Sequence, residues 1–327
     1  MHLSLSSKLS MILLLFANPL LWSCESHPAS NSSTPQPLAR AESIPLNAHK
    51  ISPEEDLFPP QLHSQEWEQP IPVPGPINTT GAEDSPFITP DGKTLTFFFT
   101  PDPNVPAEVQ IVDGVTGIYI SHNLNGEWSE PERMVLQDPG KLSLDGCLFL
   151  QGNIAWFCSA REGNFKGIDF WHAVFEDGKW TQWENAGEQL NQEYEIGEMH
   201  ITADGQELYY HAQDEGGKGD IDIWRIQRTD GTWSTPIRVE AVNSEALEGW
   251  PFLTQDGNEL WFLRVYQGSP GIFRSIKIND HWSEPQLILS QFAGEPSLDQ
   301  SGNIYFVHHY YKDGLMLEAD IYVAYKK

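Results

Sequence analysis

The residues best suited to chemistry are carboxylates that recur at one kind of place. Glu83 and Asp84, Asp145, Glu195 and Glu198, Glu245 and Glu248, and Glu295 each stand just before or at the start of an apolar segment that runs into a turn. Counting back from the turn glycines puts Glu198 and Glu295 in register, with Asp84 and Glu248 one or two positions earlier. Carboxylates that crowd together raise one another's pKa, and such groups do general acid–base work or bind Ca²⁺. Trp250 and His200 sit close by and offer a stacking surface and a titrating ring. The candidate ligand-binding residues are therefore Asp84, Asp145, Glu198, His200, Glu248, Trp250 and Glu295, and the five carboxylates among them are the candidates for catalysis. The same acids also suit a structural task, accepting backbone N–H bonds where a turn enters a strand. Asp169, Asp222 and Asp320, at the start of later strands, read as such caps. His308 and His309 are adjacent, but no further His or Cys nearby completes a metal-ligand spacing.

The elements that must position these acids form a repeat. One signature is Trp followed three residues later by Pro: Trp67–Pro70, Trp128–Pro131, Trp233–Pro236 and Trp282–Pro285, with a degenerate copy at Trp180–Trp183. Hairpin turn signals precede four of these: Asn125-Gly126, Asp177-Gly178, Asp230-Gly231 and Asn279-Asp280. A second signature is an apolar strand, a Gly-containing turn and an aromatic strand, as in Pro86-Phe87-Ile88-Thr89-Pro90-Asp91-Gly92 before Leu95-Thr96-Phe97-Phe98. It recurs around Gly152, Gly205, Gly257 and Gly302, and a third strand follows each hairpin. Each repeat thus supplies strands A to D. A four-stranded sheet leaves apolar faces that only a neighbouring sheet covers, and radial packing is the propeller solution. The expected fold is all-β: a five-bladed β-propeller over residues 66–327, with four-stranded antiparallel blades. The last repeat lacks a fourth strand, and Trp67–Val73 precedes the first, so pairing these ends closes the ring.

In that topology the D–A connections and B–C loops share one face. The acids lie there, around the mouth of a central channel, beside the longer and more variable loops. Ser85-Pro86-Phe87-Ile88-Thr89-Pro90-Asp91-Gly92-Lys93-Thr94-Leu95 resembles the inner hairpin of the WD-like repeat in TolB-like β-propellers. Gly216–Trp224 and Asp230–Pro236 are similar to its outer half. The resemblance spans roughly residues 67–327 and implies a fold rather than an activity.

Composition narrows the functional classes. Lys and Arg total 19 against 46 Asp and Glu, a net charge of −27, which repels phosphate backbones and anionic membrane surfaces. With 12 Trp, 10 Tyr and 16 Phe the chain is too aromatic for a disordered acidic protein. Met11–Ala17 reads as the apolar region of a signal peptide covering residues 1–23. Leu21-Trp22-Ser23-Cys24 looks like a bacterial lipobox, which implies lipid on Cys24 and a place in the cell envelope. The Ser- and Pro-rich residues 24–65 read as a disordered tether. Cys147 and Cys158 lie equally far on either side of the Gly152-Asn153 turn and are expected to face each other as a disulfide. No Gly-x-Ser-x-Gly elbow occurs. Two functions follow. One is a monomeric binding or scaffold module for a protein or glycan, with no cofactor beyond a Ca²⁺ at the channel mouth. The other is a glycoside-acting enzyme, since five-bladed propellers resembling arabinanases and fructosidases place carboxylates in the central funnel. Asp-Gly-x-Trp turns superficially resemble the Asp-box of sialidases, but the spacing differs and no arginine cluster accompanies them.

Overall fold

The computed structural model describes residues 40–194, 196–213 and 217–327. The signal segment, Cys24 and Glu195 lie outside them. The fold is all-β: among the described residues the two α-helical segments, Arg40–Ser43 and Ala107–Gln110, are single turns. Strand A, B and C triplets run antiparallel as Ala82–Ile88, Thr94–Thr100 and Gly117–Leu124, then Ser143–Gln151, Ile154–Arg161 and Asp169–Glu176. They continue as Met199–Ile201, Glu207–Ala212 and Asp222–Thr229, then Glu248–Leu253, Glu259–Tyr266 and Ser269–Ile278. Ala293–Leu298, Ile304–Lys312 and Leu315–Ala324 complete the series. The first and last triplets are joined in one sheet by a single parallel pair, Ala319 with Ala82.

Outside each C strand the Trp-x-x-Pro segment forms two short pieces, such as Glu127–Trp128 and Glu132–Arg133. Proline has no N–H for the ladder, so the strand breaks at Pro131. The degenerate second copy, with Trp183 in place of proline, is continuous over Lys179–Asn185. Beside the last C strand lie residues from the other end of the chain: Ile71 and Pro72 pair with Val323 and Tyr322, and Trp67 bridges to Lys326.

Four of the A strands carry a bulge that the sequence did not announce. Register shifts between Asp84 and Phe87, Gly146 and Phe149, Gly249 and Phe252, and Gly294 and Ser297. The first residue of each bulge, Ser85, Cys147, Trp250 or Glu295, has φ between 48° and 53°. Non-glycine residues rarely adopt that region, and the bulge re-aims their side chains out of the ladder. The expected opposition of the cysteines is corrected accordingly. Gly146, not Cys147, pairs with Cys158, yet the bulge turns Cys147 onto it and the two form a disulfide with Cα atoms 5.4 Å apart.

Residues 40–65 also depart from expectation. They form a strap docked on the sheets rather than a solvated tether, because their charged side chains meet buried polar and charged partners there. Arg40 is buried and donates to the Ile77 carbonyl and to Glu83. Lys50 bridges Glu318 and Asp320, and Asp56 meets His308 at 2.9 Å. Asp320 is thus part of this network, not a turn cap. Asp169 and Asp222 do cap turns, accepting the Phe165 and Lys218 N–H groups. Gln61 and Leu62 then pair with Ser290 and Leu289 before the chain reaches Trp67.

Candidate functional site

Four bulges and the unbulged third hairpin build the site. Numbered from the bulge, or from the matching position Glu198 in the third hairpin, three successive residues of each hairpin line one small open cavity of about 60 Å³. The first residues are Ser85, Cys147, Glu198, Trp250 and Glu295, and the second are Pro86, Leu148, Met199, Pro251 and Pro296. The third are Phe87, Phe149, His200, Phe252 and Ser297. The third set forms an aromatic floor: the His200 ring is 4.8 Å from Phe252, 5.1 Å from Phe149 and 6.3 Å from Phe87. His200 therefore occupies a phenylalanine position. Its Nδ1 accepts the Leu253 N–H at 3.2 Å, and burial lowers its pKa to about 3, so it serves as a neutral ring.

At the mouth, Glu198 and Glu295 arrive from different hairpins together with Asp84. Trp250 Nε1 donates to Glu198 at 2.8 Å, and Ser85 Oγ donates to Glu295 at 2.6 Å. Burial pushes Glu198 up to about 8, against the Trp250 bond, with Asp84 adding like-charge repulsion. Glu295 is raised well above the carboxylate range by burial and by Asp84 and Glu198. Among the described residues no lysine or arginine pairs with either. Both thus hold a proton more tightly than a free carboxyl does, and in the protonated form each presents a hydrogen-bond donor. Behind Trp250, the buried His211 ring accepts the Trp250 backbone N–H on Nδ1 at 3.1 Å, and burial lowers its pKa to about 3.

The structure does not bring Asp145 and Glu248 into this group. Asp145 is bonded to Ser143, Ser159 and Arg161, and Glu248 to Ser244 and Arg264. The guanidiniums stack on aromatic rings, Arg161 over Phe157 and Trp171, Arg264 over Phe262 and Phe273. Glu83 occupies the corresponding place in the first hairpin, two positions before the bulge. No B-strand arginine reaches it. Arg40 from the strap does so instead, lying over Phe97, Phe99 and Tyr119. One position before the bulge the rule differs again. Four hairpins have Gly146, Gly197, Gly249 and Gly294 there. A Cβ at Gly294 would lie 2.7 Å from Leu263, and one at Gly249 would lie 3.1 Å from His211. The first hairpin alone carries a side chain at this position, Asp84. Its carboxylate accepts the Ser85 N–H and faces His309 Nε2 at 3.4 Å. Sequence reasoning listed Asp84 among the acids but missed its exceptional place, which the alignment of four glycines against one aspartate could have revealed. Ser85 and His309 left no periodic signal, whereas Arg161 and Arg264, each 16 residues after its acid, left one that the reading of the acids alone did not use. Among the described residues no group of three or more His, Cys, Asp or Glu side chains is placed to hold a metal ion.

No family model matches the sequence, and no curated protein matches it. Solved structures do. TolB from Acinetobacter baumannii is 13% identical at a TM-score of 0.45, over 77% of this chain and 56% of that one, so this chain spans about half its length. An endo-arabinase from Bacteroides thetaiotaomicron VPI-5482 is 14% identical at a TM-score of 0.49, over 77% of this chain and 96% of that one. An α-L-arabinofuranosidase from Lactobacillus brevis is 13% identical at a TM-score of 0.46, over 74% and 90%. The functional reading rests on the site's own geometry.

Proposed function

We propose that the chain is an exported protein, anchored by lipid on Cys24 in the bacterial cell envelope, whose five repeats form a monomeric five-bladed propeller that binds a glycan in the mouth of its central channel. One observation carries the binding site. Glu198 and Glu295 line the cavity with the Asp84 charge acting on both, and among the described residues none of the three has a lysine or arginine partner, while Glu83, Asp145 and Glu248 are each paired with an arginine. Protonated carboxyls and a carboxylate around an aromatic floor suit a ligand that both donates and accepts hydrogen bonds and has an apolar face, as sugars do. A second reading, hydrolysis of a glycosidic bond, is favoured by Glu198 being held protonated beside Asp84, the acid-and-carboxylate arrangement such chemistry needs.

The test is a panel of neutral oligosaccharides offered to the purified chain and to Asp84→Gly and Glu198→Gln. Wild type should bind at least one, and both variants should lose about tenfold or more in affinity. Asp84→Gly should melt close to wild type, because glycine is the residue the other hairpins use. Release of reducing ends by wild type, abolished in Glu198→Gln, would move the conclusion to the hydrolase. Undiminished binding by both variants would remove the site.

A further inference from the structure

The floor of the cavity holds two polar side chains among its phenylalanines, His200 and Ser297. Each reaches across to the backbone of a neighbouring hairpin. Ser297 Oγ accepts the Ile88 N–H at 2.8 Å, and His200 Nδ1 accepts the Leu253 N–H at 3.2 Å. A serine hydroxyl suffices for that task, so the bond to Leu253 leaves the rest of the imidazole unexplained. A ring nitrogen that accepts carries no proton, which puts the His200 proton on Nε2. Among the described residues that N–H has no hydrogen-bond partner. Nor is it sealed in: His200 is half-buried and lines the cavity, whereas the partnerless ring nitrogens of His308 and His309 are shut away from solvent. The flanking rings of Phe252 and Phe149 offer it no oxygen or nitrogen. Ser297 is 2% exposed and already engaged, so the His200 Nε2–H is the donor that the floor presents.

We propose that His200 Nε2–H recognises an uncharged oxygen acceptor of the ligand, a hydroxyl or ether oxygen bordered by apolar atoms. This rests on the glycan-binding reading and names the residue and the ligand group that meet at the floor. The acceptor is uncharged because the lining contains no lysine or arginine and does contain Glu198 and Glu295, which oppose an anion. It needs only to accept, since Nε2 in this tautomer has no lone pair to receive a proton. The C–H atoms beside the oxygen pack on the phenylalanine rings, so one edge of a sugar meets both kinds of contact. The cavity holds about 60 Å³, which suits such an edge.

The experiment titrates methyl xyloside and methyl galactoside, each with its monodeoxy analogues, against wild type, His200→Asn and His200→Gln, read by saturation-transfer NMR. Asparagine puts an oxygen where Nδ1 stands and keeps the bond to Leu253. Glutamine puts an amide N–H where Nε2 stands and keeps the donor. Wild type should bind a parent glycoside and bind one of its deoxy analogues about five- to tenfold more weakly, because the donor is then left unpaired. His200→Asn should weaken the parent by a similar factor and no longer distinguish that analogue from it. His200→Gln should keep the discrimination and hold the parent to within about twofold of wild type. Both variants should melt below wild type, since each gives up ring packing, so melting temperature and affinity separate. Ring-nitrogen NMR, with the His200 signals assigned by their loss in His200→Asn, should show the proton on Nε2 and a shift of its resonance when the glycoside is added. Equal loss of affinity in the two variants would make His200 a packing group and overturn the inference. Wild-type affinity in His200→Asn, or a proton found on Nδ1, would overturn it as well. Deoxy analogues that all bind like their parent would overturn it and leave the glycan reading standing. Binding of neither parent by wild type would sink that reading, and this inference with it.

Discussion

Glu198 is the residue at which the site's chemistry becomes measurable without a ligand. Its carboxyl is raised from 4.5 to about 8 in the folded protein by burial first and by Asp84 second. The native state then holds the proton more tightly than the unfolded chain does. Its contribution to stability is fully present below about pH 4.5 and is lost as pH rises through about 8. Glu295 acts in the same direction. The turn acids Asp91, Asp204 and Asp256 are shifted downwards by their Thr hydroxyl and backbone bonds, so their effect falls in a separate window, as pH drops through the acid range. Glu198→Gln should therefore flatten the fall in stability between pH 5 and 8 without changing behaviour below pH 4. Denaturant midpoints at a series of pH values check this, and an unchanged slope in the variant would mean that Glu198 is ionised in the folded state. Sequence alone brought Glu198 and Glu295 into register and set Asp84 one place earlier. It did not separate them from Asp145 and Glu248, although the arginine that neutralises each of those two stands 16 residues later on the neighbouring strand, a spacing that Glu198 and Glu295 lack.

At the scale of elements, what was legible and what was not follows from how local each interaction is. The hairpins, their Asp-Gly turns and the apolar alternation are written in contiguous residues, and the A–B–C triplets stand where the repeats placed them. The A-strand bulges were not legible, since Ser85, Cys147, Trp250 and Glu295 share no residue type that signals a positive φ. Nor was the strap, whose Arg40, Lys50 and Asp56 are spaced irregularly and take their meaning from partners far along the chain. Arg40 gives the sharpest test of that element. It replaces the in-sheet arginine that Asp145 and Glu248 possess and Glu83 lacks, and Glu83 is fully buried. Arg40→Met should cost about 3–5 kcal/mol by leaving a buried carboxylate uncompensated. Arg40→Met with Glu83→Gln should recover a large part of that loss, because the charge is removed with its partner. Urea unfolding of the two variants gives the comparison, and a single variant as stable as wild type would reduce the strap to a surface decoration.

For the whole molecule the decisive residue is Trp67, which ties segments far apart in sequence. It is 1% exposed and packs edge-on against Trp261 of the fourth repeat with ring centroids 5.6 Å apart. Its Nε1 donates to the Gly302 carbonyl of the fifth repeat, and its backbone bridges Lys326 at the chain end. Arg274 lies over its ring, and Glu66 beside it pairs with both Arg274 and Lys326. If the repeats behave as one ring, loosening this point weakens every sheet together, because no group retains a complete set of neighbours. If they behave as a stack, only the terminal groups respond. Trp67→Ala should lower the unfolding free energy by about 3–5 kcal/mol, the cost of emptying a large aromatic site. Trp67→Phe should cost less, losing the indole bond while keeping most of the packing. In both variants the transition should stay single and coincide when followed by tryptophan fluorescence and by far-UV circular dichroism. Two separated transitions in Trp67→Ala would show that the first and last repeats open on their own, and the closed ring would have to be given up.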